Sequence, residues 1–119
     1  MPAIDRTALP MAIEGGGVEF RTDSFGGQSV AWVRLPKGAD LRPGLAGLPD
    51  GLCPCPHWGY LLSGRLRMHT RDGAQTYEAG QAFYWAPGHA PEALEDCEYV
   101  DISPSVPLEA VVRHLQGGD

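Results

Sequence analysis

The chain reads as an all-β domain finished by one short α-helix, and three observations lead there. Sixteen glycines and eleven prolines are spread along 119 residues, which cuts the chain into short segments joined by turns. The segments between them alternate in polarity with a period of two and are rich in β-branched and aromatic residues. Only the tail departs from this: Leu108, Val111, Val112 and Leu115 recur at helical spacing.

Residues 1–17 form an N-terminal arm with room for one strand, and residues 18–119 form a single domain with one modest core. Val18–Thr22 alternates as a short strand, and Ser29–Leu35 is a stronger one, closed by Pro36-Lys37-Gly38. Residues 36–52 carry so many prolines and glycines that they form a long connection, either a functional rim or a plain crossover. Tyr60–Thr70 reads as one continuous strand, with Leu62, Leu66 and Met68 on one face and Arg65, Arg67 and His69 on the other. Asp72-Gly73 turns the chain back into Gln75–Glu78, and Gly80 turns it again into Gln81–Trp85. Pro87-Gly88 ends that strand and presents His89, and Glu98–Ile102 is the last strand. The helix covers about 106–116, with Ser105 as its cap and Gly117-Gly118 as its stop.

A net charge of −6 disfavours nucleic acid and anionic membranes as partners. No apolar run approaches the roughly 20 residues of a spanning helix, and no signal peptide is expected. Three cysteines are an odd number, and Cys53 and Cys55 are too close to form an unstrained disulfide. Reduced thiols, and hence a cytoplasmic location, are the expectation.

The chemistry concentrates in Cys53-Pro54-Cys55-Pro56-His57-Trp58-Gly59-Tyr60. On an extended chain Cys53, Cys55 and His57 project to one face. Thiols with imidazoles suit zinc first and iron second, in preference to hard cations. In a straight strand Cys53 and His57 lie about 13 Å apart, too far to share an ion unless the chain bends around Pro54 and Pro56. Cys55, His57 and His89 form the more compact subset, and the full candidate set of metal ligands is Cys53, Cys55, His57 and His89. Trp58, Tyr60, Tyr84 and Trp85 are candidates for lining a ligand pocket, against an alternative as core aromatics. His57 and Glu92 are the candidate proton-transfer groups, Glu92 also fitting a solvated loop carboxylate. Cys97 fits a buried structural thiol, and His69 and His114 carry no functional signal.

Two stretches, Tyr60–Leu66 and Gly80–His89, resemble the two motifs of the cupin superfamily, and with the hairpin between them the resemblance covers residues 53–92. The resemblance implies a double-stranded β-helix, that is, a jelly-roll barrel, and a homodimer with the N-terminal strand or the final helix at its interface. The ligands carry over in part. Counting seven back from Gly64, the motif's glutamate position is His57; its second histidine can fall at Cys53, and its first falls at Gly51. The second motif expects histidine at Pro91, whereas His89 directly follows Gly88. The family's three-histidine, one-glutamate set is therefore replaced by a variant set.

Three functions fit. The chain is a small metalloenzyme acting on an oxygen-bearing metabolite, as an oxygenase, isomerase or lyase; or a ligand-binding or metal-sensing protein without turnover; or a metal-free isomerase or carrier. Three protein ligands favour the first, and closure by four favours the second.

Overall fold

The computed structural model describes residues 2–118. Nine strands follow in chain order: β1 (Met11–Gly15), β2 (Val18–Phe25), β3 (Gln28–Leu35), β4 (His57–Ser63), β5 (Arg65–Thr70), β6 (Gly73–Glu78), β7 (Ala82–Trp85), β8 (Ala90–Ala93) and β9 (Cys97–Pro104). A one-turn α-helix, α1 (Arg42–Leu45), and a 3-10 turn at Pro49–Gly51 lie in the long connection, and α2 (Ser105–Leu115) follows β9. The strands form a six-stranded sheet in the order β1-β2-β3-β9-β4-β7 and a three-stranded sheet in the order β6-β5-β8.

Neither sheet closes on itself, which corrects the expectation of a jelly-roll barrel. The free edge of β8 faces the connection at residues 36–52. There it meets one isolated bridge, Asp40 to Glu92, and a few single hydrogen bonds, among them Gly38 N–H to Ala93 O. Prolines and glycines keep that connection out of a continuous ladder, so the seam stays open.

Tyr60–Thr70 is two strands rather than one. Gly64 sits between them at φ +83°, and the chain passes there from the six-stranded to the three-stranded sheet. A Cβ at Gly64 would run into the Asp96 carbonyl and Cys97, so only glycine makes this corner. Leu66 and Met68 are consequently buried, while Leu62, before the corner, is exposed.

The main core lies between the sheets. It joins Ala31, Val33, Leu61, Leu66, Met68, Phe83, Trp85 and Tyr99. A second apolar cluster lies beneath α2, where Leu108, Val111 and Val112 pack on Leu45, Leu52, Cys53 and Cys55. Ser105 is the first helical residue rather than the cap; Pro104 holds that position, and Ser105 Oγ bonds Ser24 Oγ and Ser29 Oγ instead. Among the described residues no helix is long and apolar enough to cross a membrane.

Candidate metal centre

Strand register assembles the site. On the inner face of the six-stranded sheet, His57 lies opposite Trp85 on β7 and next to Ser103 on β9. The next inward row holds Asp101, Gly59 and Phe83. Gly59 leaves the space that Asp101 uses: a Cβ there would lie 2.7 Å from the Asp101 Cβ.

The segment before β4 is bent at Cys55, and this bend brings Cys53 back over His57. Cys53 also pairs with His89 in an isolated antiparallel bridge: its N–H donates to His89 O at 2.8 Å, and Gly88 N–H donates to Cys53 O at 2.8 Å. The result is a buried group of Cys53, His57 and His89 whose ligand atoms all lie within 4.8 Å of one another. Cys53 Sγ is 3.7 Å from His57 Nε2, and the two imidazole centroids are 4.8 Å apart. Two ligands on one tetrahedral zinc are separated by about 3.5 Å, so the donor set and its spacing both suit a divalent ion.

The far nitrogens of both histidines are tied down. His89 Nδ1–H donates to the Ala86 carbonyl at 2.7 Å, which leaves Nε2 as the lone-pair nitrogen. His57 Nδ1 bonds Ser103 Oγ. Burial pushes the Cys53 thiol up to about 11; its S–H donates to the Cys55 carbonyl at 3.8 Å, and Sγ also lies against His57 Nε2. Partners of this kind are what orient metal-binding imidazoles. Burial, then the neighbouring His89, lowers His57 to about 3; burial lowers His89 as well, against the Ala86 carbonyl. Both rings are neutral at ordinary pH, the form that ligates.

The remaining candidates fall elsewhere. Cys55 is fully buried but stands outside the group, its Sγ–H directed to Pro56 O at 3.5 Å. Burial and then Cys53 push it up to about 12. Glu92 on β8 holds His69 Nε2 at 2.9 Å and lies 3.7 Å from Arg42, apart from the group. Of the four aromatics, Trp85 faces inward beside both histidines, whereas Trp58, Tyr60 and Tyr84 stand on the outer face of the sheet. All three cysteines are free and buried.

Asp101 and Ser103 escaped the reading of the sequence. The signal is the alternation of β9, Cys97-x-Tyr99-x-Asp101-x-Ser103, which puts a carboxylate on an otherwise inward face. Asp101 is 4% exposed, with Oδ2 4.0 Å from His57 Nδ1, and burial pushes its carboxyl up to about 8.

Two spaces adjoin the group. A cavity of about 40 Å³ is lined by Cys53, His57, His89, Trp85 and Asp101, and by apolar side chains that include Leu108 and Val111 of α2. A separate pocket of about 370 Å³ reaches His89 and Trp85 past Arg71, Tyr77 and Tyr84.

No protein-family model matches the chain, and no curated protein matches it. Solved structures do. An RmlC-like cupin from Shewanella frigidimarina is 16% identical with a TM-score of 0.61, over 84% of this chain and 87% of that one. KdgF from a Halomonas species is 21% identical with a TM-score of 0.60, over 84% and 92%. A deletion mutant of Bacillus subtilis oxalate decarboxylase is 18% identical with a TM-score of 0.65, over 85% of this chain and 28% of that longer one. At these identities the likeness is one of fold, and the chain is a β-rich protein resembling the cupin superfamily, with a buried Cys/His triad able to coordinate a divalent metal.

Proposed function

We propose that the protein is a small metal-dependent enzyme that holds one divalent ion, zinc first and iron second, on Cys53, His57 and His89. The observation that carries this is the count of ligands. Three buried ligating groups converge, and among the described residues no further cysteine, histidine or carboxylate joins them, which leaves a position open. When bound, such an ion supplies Lewis acidity at that position. Cys53 would give up its proton on binding, while His57 and His89 present neutral nitrogens already aimed by Ser103 and Ala86. The 370 Å³ pocket has the volume of a small-metabolite site and brings a ligand to His89 and Trp85. The substrate class that fits is a small oxygen-bearing metabolite.

The same reading pairs two copies of the chain. Trp58, Tyr60, Leu62, Tyr84 and Ile102 are all exposed on the outer face of the six-stranded sheet, with Trp58 stacked on Tyr84 at 5.1 Å. Three strands and three rows of residues make a patch of roughly 300 Å² in projection. That is the size of the apolar centre of an ordinary dimer interface. Arg34 and Glu98 supply a charged border of both signs. A second copy of this chain is the occupant of matching size and chemistry.

Metal content after purification without chelator tests the reading. About one equivalent of zinc or iron in the wild type, lost in Cys53→Ala and His57→Ala, supports it. A metal-free wild type that also fails to take up added zinc sinks it.

A further inference from the structure

Two buried polar atoms beside the triad have no hydrogen-bond partner among the described residues: Trp85 Nε1 and Asp101 Oδ1. Their residues are 3% and 4% exposed, and both line the cavity of about 40 Å³ that touches Cys53, His57 and His89. A hydrogen bond left unmade in an interior is costly, and native proteins leave very few of them. Two on one small cavity mark a ligand.

Their chemistry narrows that ligand. The indole N–H can only donate, while the carboxyl oxygen accepts when Asp101 is ionised and can donate when it is protonated. A ligand atom that serves both states must accept from the indole and be able to give to the carboxyl as well. A hydroxyl oxygen does both, whereas a carbonyl or carboxylate only accepts and an ammonium only donates. Most of the remaining wall is apolar, with Phe20, Leu45, Leu108 and Val111, which disfavours a charged ligand. The volume admits a water or the hydroxyl end of a small alcohol, since one water needs about 10–15 Å³.

We infer that Trp85 and Asp101 form a two-point cradle for a hydroxyl oxygen beside the Cys53–His57–His89 group. Neither is a ligand of the ion; they are positioning residues that fix where the oxygen stands. The inference rests on the proposed function for the meaning of the site, and on the two unpartnered atoms for the ligand.

The test uses the indole N–H resonances of the ¹⁵N-labelled, metal-free full chain, with the Trp85 signal assigned through Trp85→Phe. The expected result has two arms. Magnetisation transfer from water to the buried Trp85 N–H identifies water as the resident hydroxyl. A saturable shift of that signal with methanol, and none with formate, shows that an alcohol can replace it. Asp101→Leu abolishes both effects, and Asp101→Asn, whose amide oxygen still accepts, retains them. A Trp85 signal with neither water transfer nor an alcohol shift overturns the inference, as does a folded Asp101→Leu protein that keeps both. Zinc binding measured on the same samples separates the two ideas. Cradle signals without zinc uptake sink only the metal reading, and zinc uptake without cradle signals sinks only the cradle.

Discussion

Cys53 and Cys55 stand two positions apart and are both buried, yet their thiols have different neighbours. Cys53 is clamped to His89 by backbone hydrogen bonds and faces His57 Nε2, whereas Cys55 turns to the Pro56 carbonyl. Cys55→Ala is therefore expected to retain about one equivalent of zinc, and Cys53→Ala to lose it, by metal analysis after gel filtration. Equal loss in both variants would overturn this assignment. The acidities make a second prediction. Zinc must displace the Cys53 proton, held up at about 11 by burial, while His57, lowered to about 3, is already neutral. Affinity should rise about tenfold per pH unit as the solution goes from mildly acidic to mildly basic, and fall by the same factor on acidification. A competition titration against a chelator measures the slope. Asp101, pushed up to about 8 and facing the same cavity, is the one neighbour placed to add a second proton. A slope near two that returns to one in Asp101→Asn would assign that proton to it. A slope near zero would mean that Cys53 is not a ligand.

Gly64 and Ser105 show how single positions decide where elements begin. Gly64 is the corner at which β4 leaves one sheet and β5 enters the other, at φ +83° with backbone where a Cβ would go. Gly64→Ala is expected to cost about 2–4 kcal/mol through strain and overpacking, read by urea denaturation. A loss under half a kcal/mol would mean that the corner relaxes freely. Ser105 opens α2 and joins it to the β2–β3 hairpin through Ser24 Oγ at 2.7 Å and Ser29 Oγ at 2.8 Å. Ser105→Ala removes both bonds, and a loss of about 1–2 kcal/mol is expected from the same assay. Because α2 walls the cavity with Leu108 and Val111, Ser105→Ala also tests whether its anchorage keeps that space small. At the C-terminal end Gly117, at φ +88°, and Gly118 return N–H bonds to His114 O and Arg113 O, and the helix stops there.

The two faces of the six-stranded sheet do different work. The inner face carries His57, Trp85, Asp101 and the core, and the outer face carries Trp58, Tyr60, Tyr84 and Ile102. With Trp58 50% and Tyr84 53% exposed, the outer face is the apolar surface that the proposed dimer would cover. Light scattering on the eluting protein is expected to report a homodimer at micromolar concentration, and Tyr84→Glu a monomer with unchanged circular dichroism. A wild-type monomer at a hundred micromolar would remove this face from consideration as the interface. The metal group lies on the opposite side of the sheet from these aromatics, so Tyr84→Glu should keep its zinc. That result would separate assembly from metal binding.

Alternation and turn chemistry were enough to read most of the strands. β2, β3, β6, β7 and β9 lie where polarity alternates between glycine and proline signals, because burial on one face imposes a period of two on the chain itself. The change of period after Pro104 announced α2 for the same reason. β8, which is Ala90-Pro91-Glu92-Ala93, was not legible: proline argues against a strand and is tolerated here because β8 is an edge. The break at Gly64 was hidden because alternation continues across it, and the need for glycine comes from the corner's φ of +83° and from Asp96 and Cys97, more than thirty residues away. The open seam depends on whether the connection at 36–52 pairs with β8, a long-range matter that local pattern does not carry. In the site, the ligating residue types could be named from composition and spacing. Which thiol faces the histidines is set by the bend at Cys55 and the bridge to His89, and the nearness of Asp101 by the pairing of β9 with β4. Residue chemistry is a local property and is written in the chain; which groups meet depends on strand register and loop closure, which appear only once distant segments have packed.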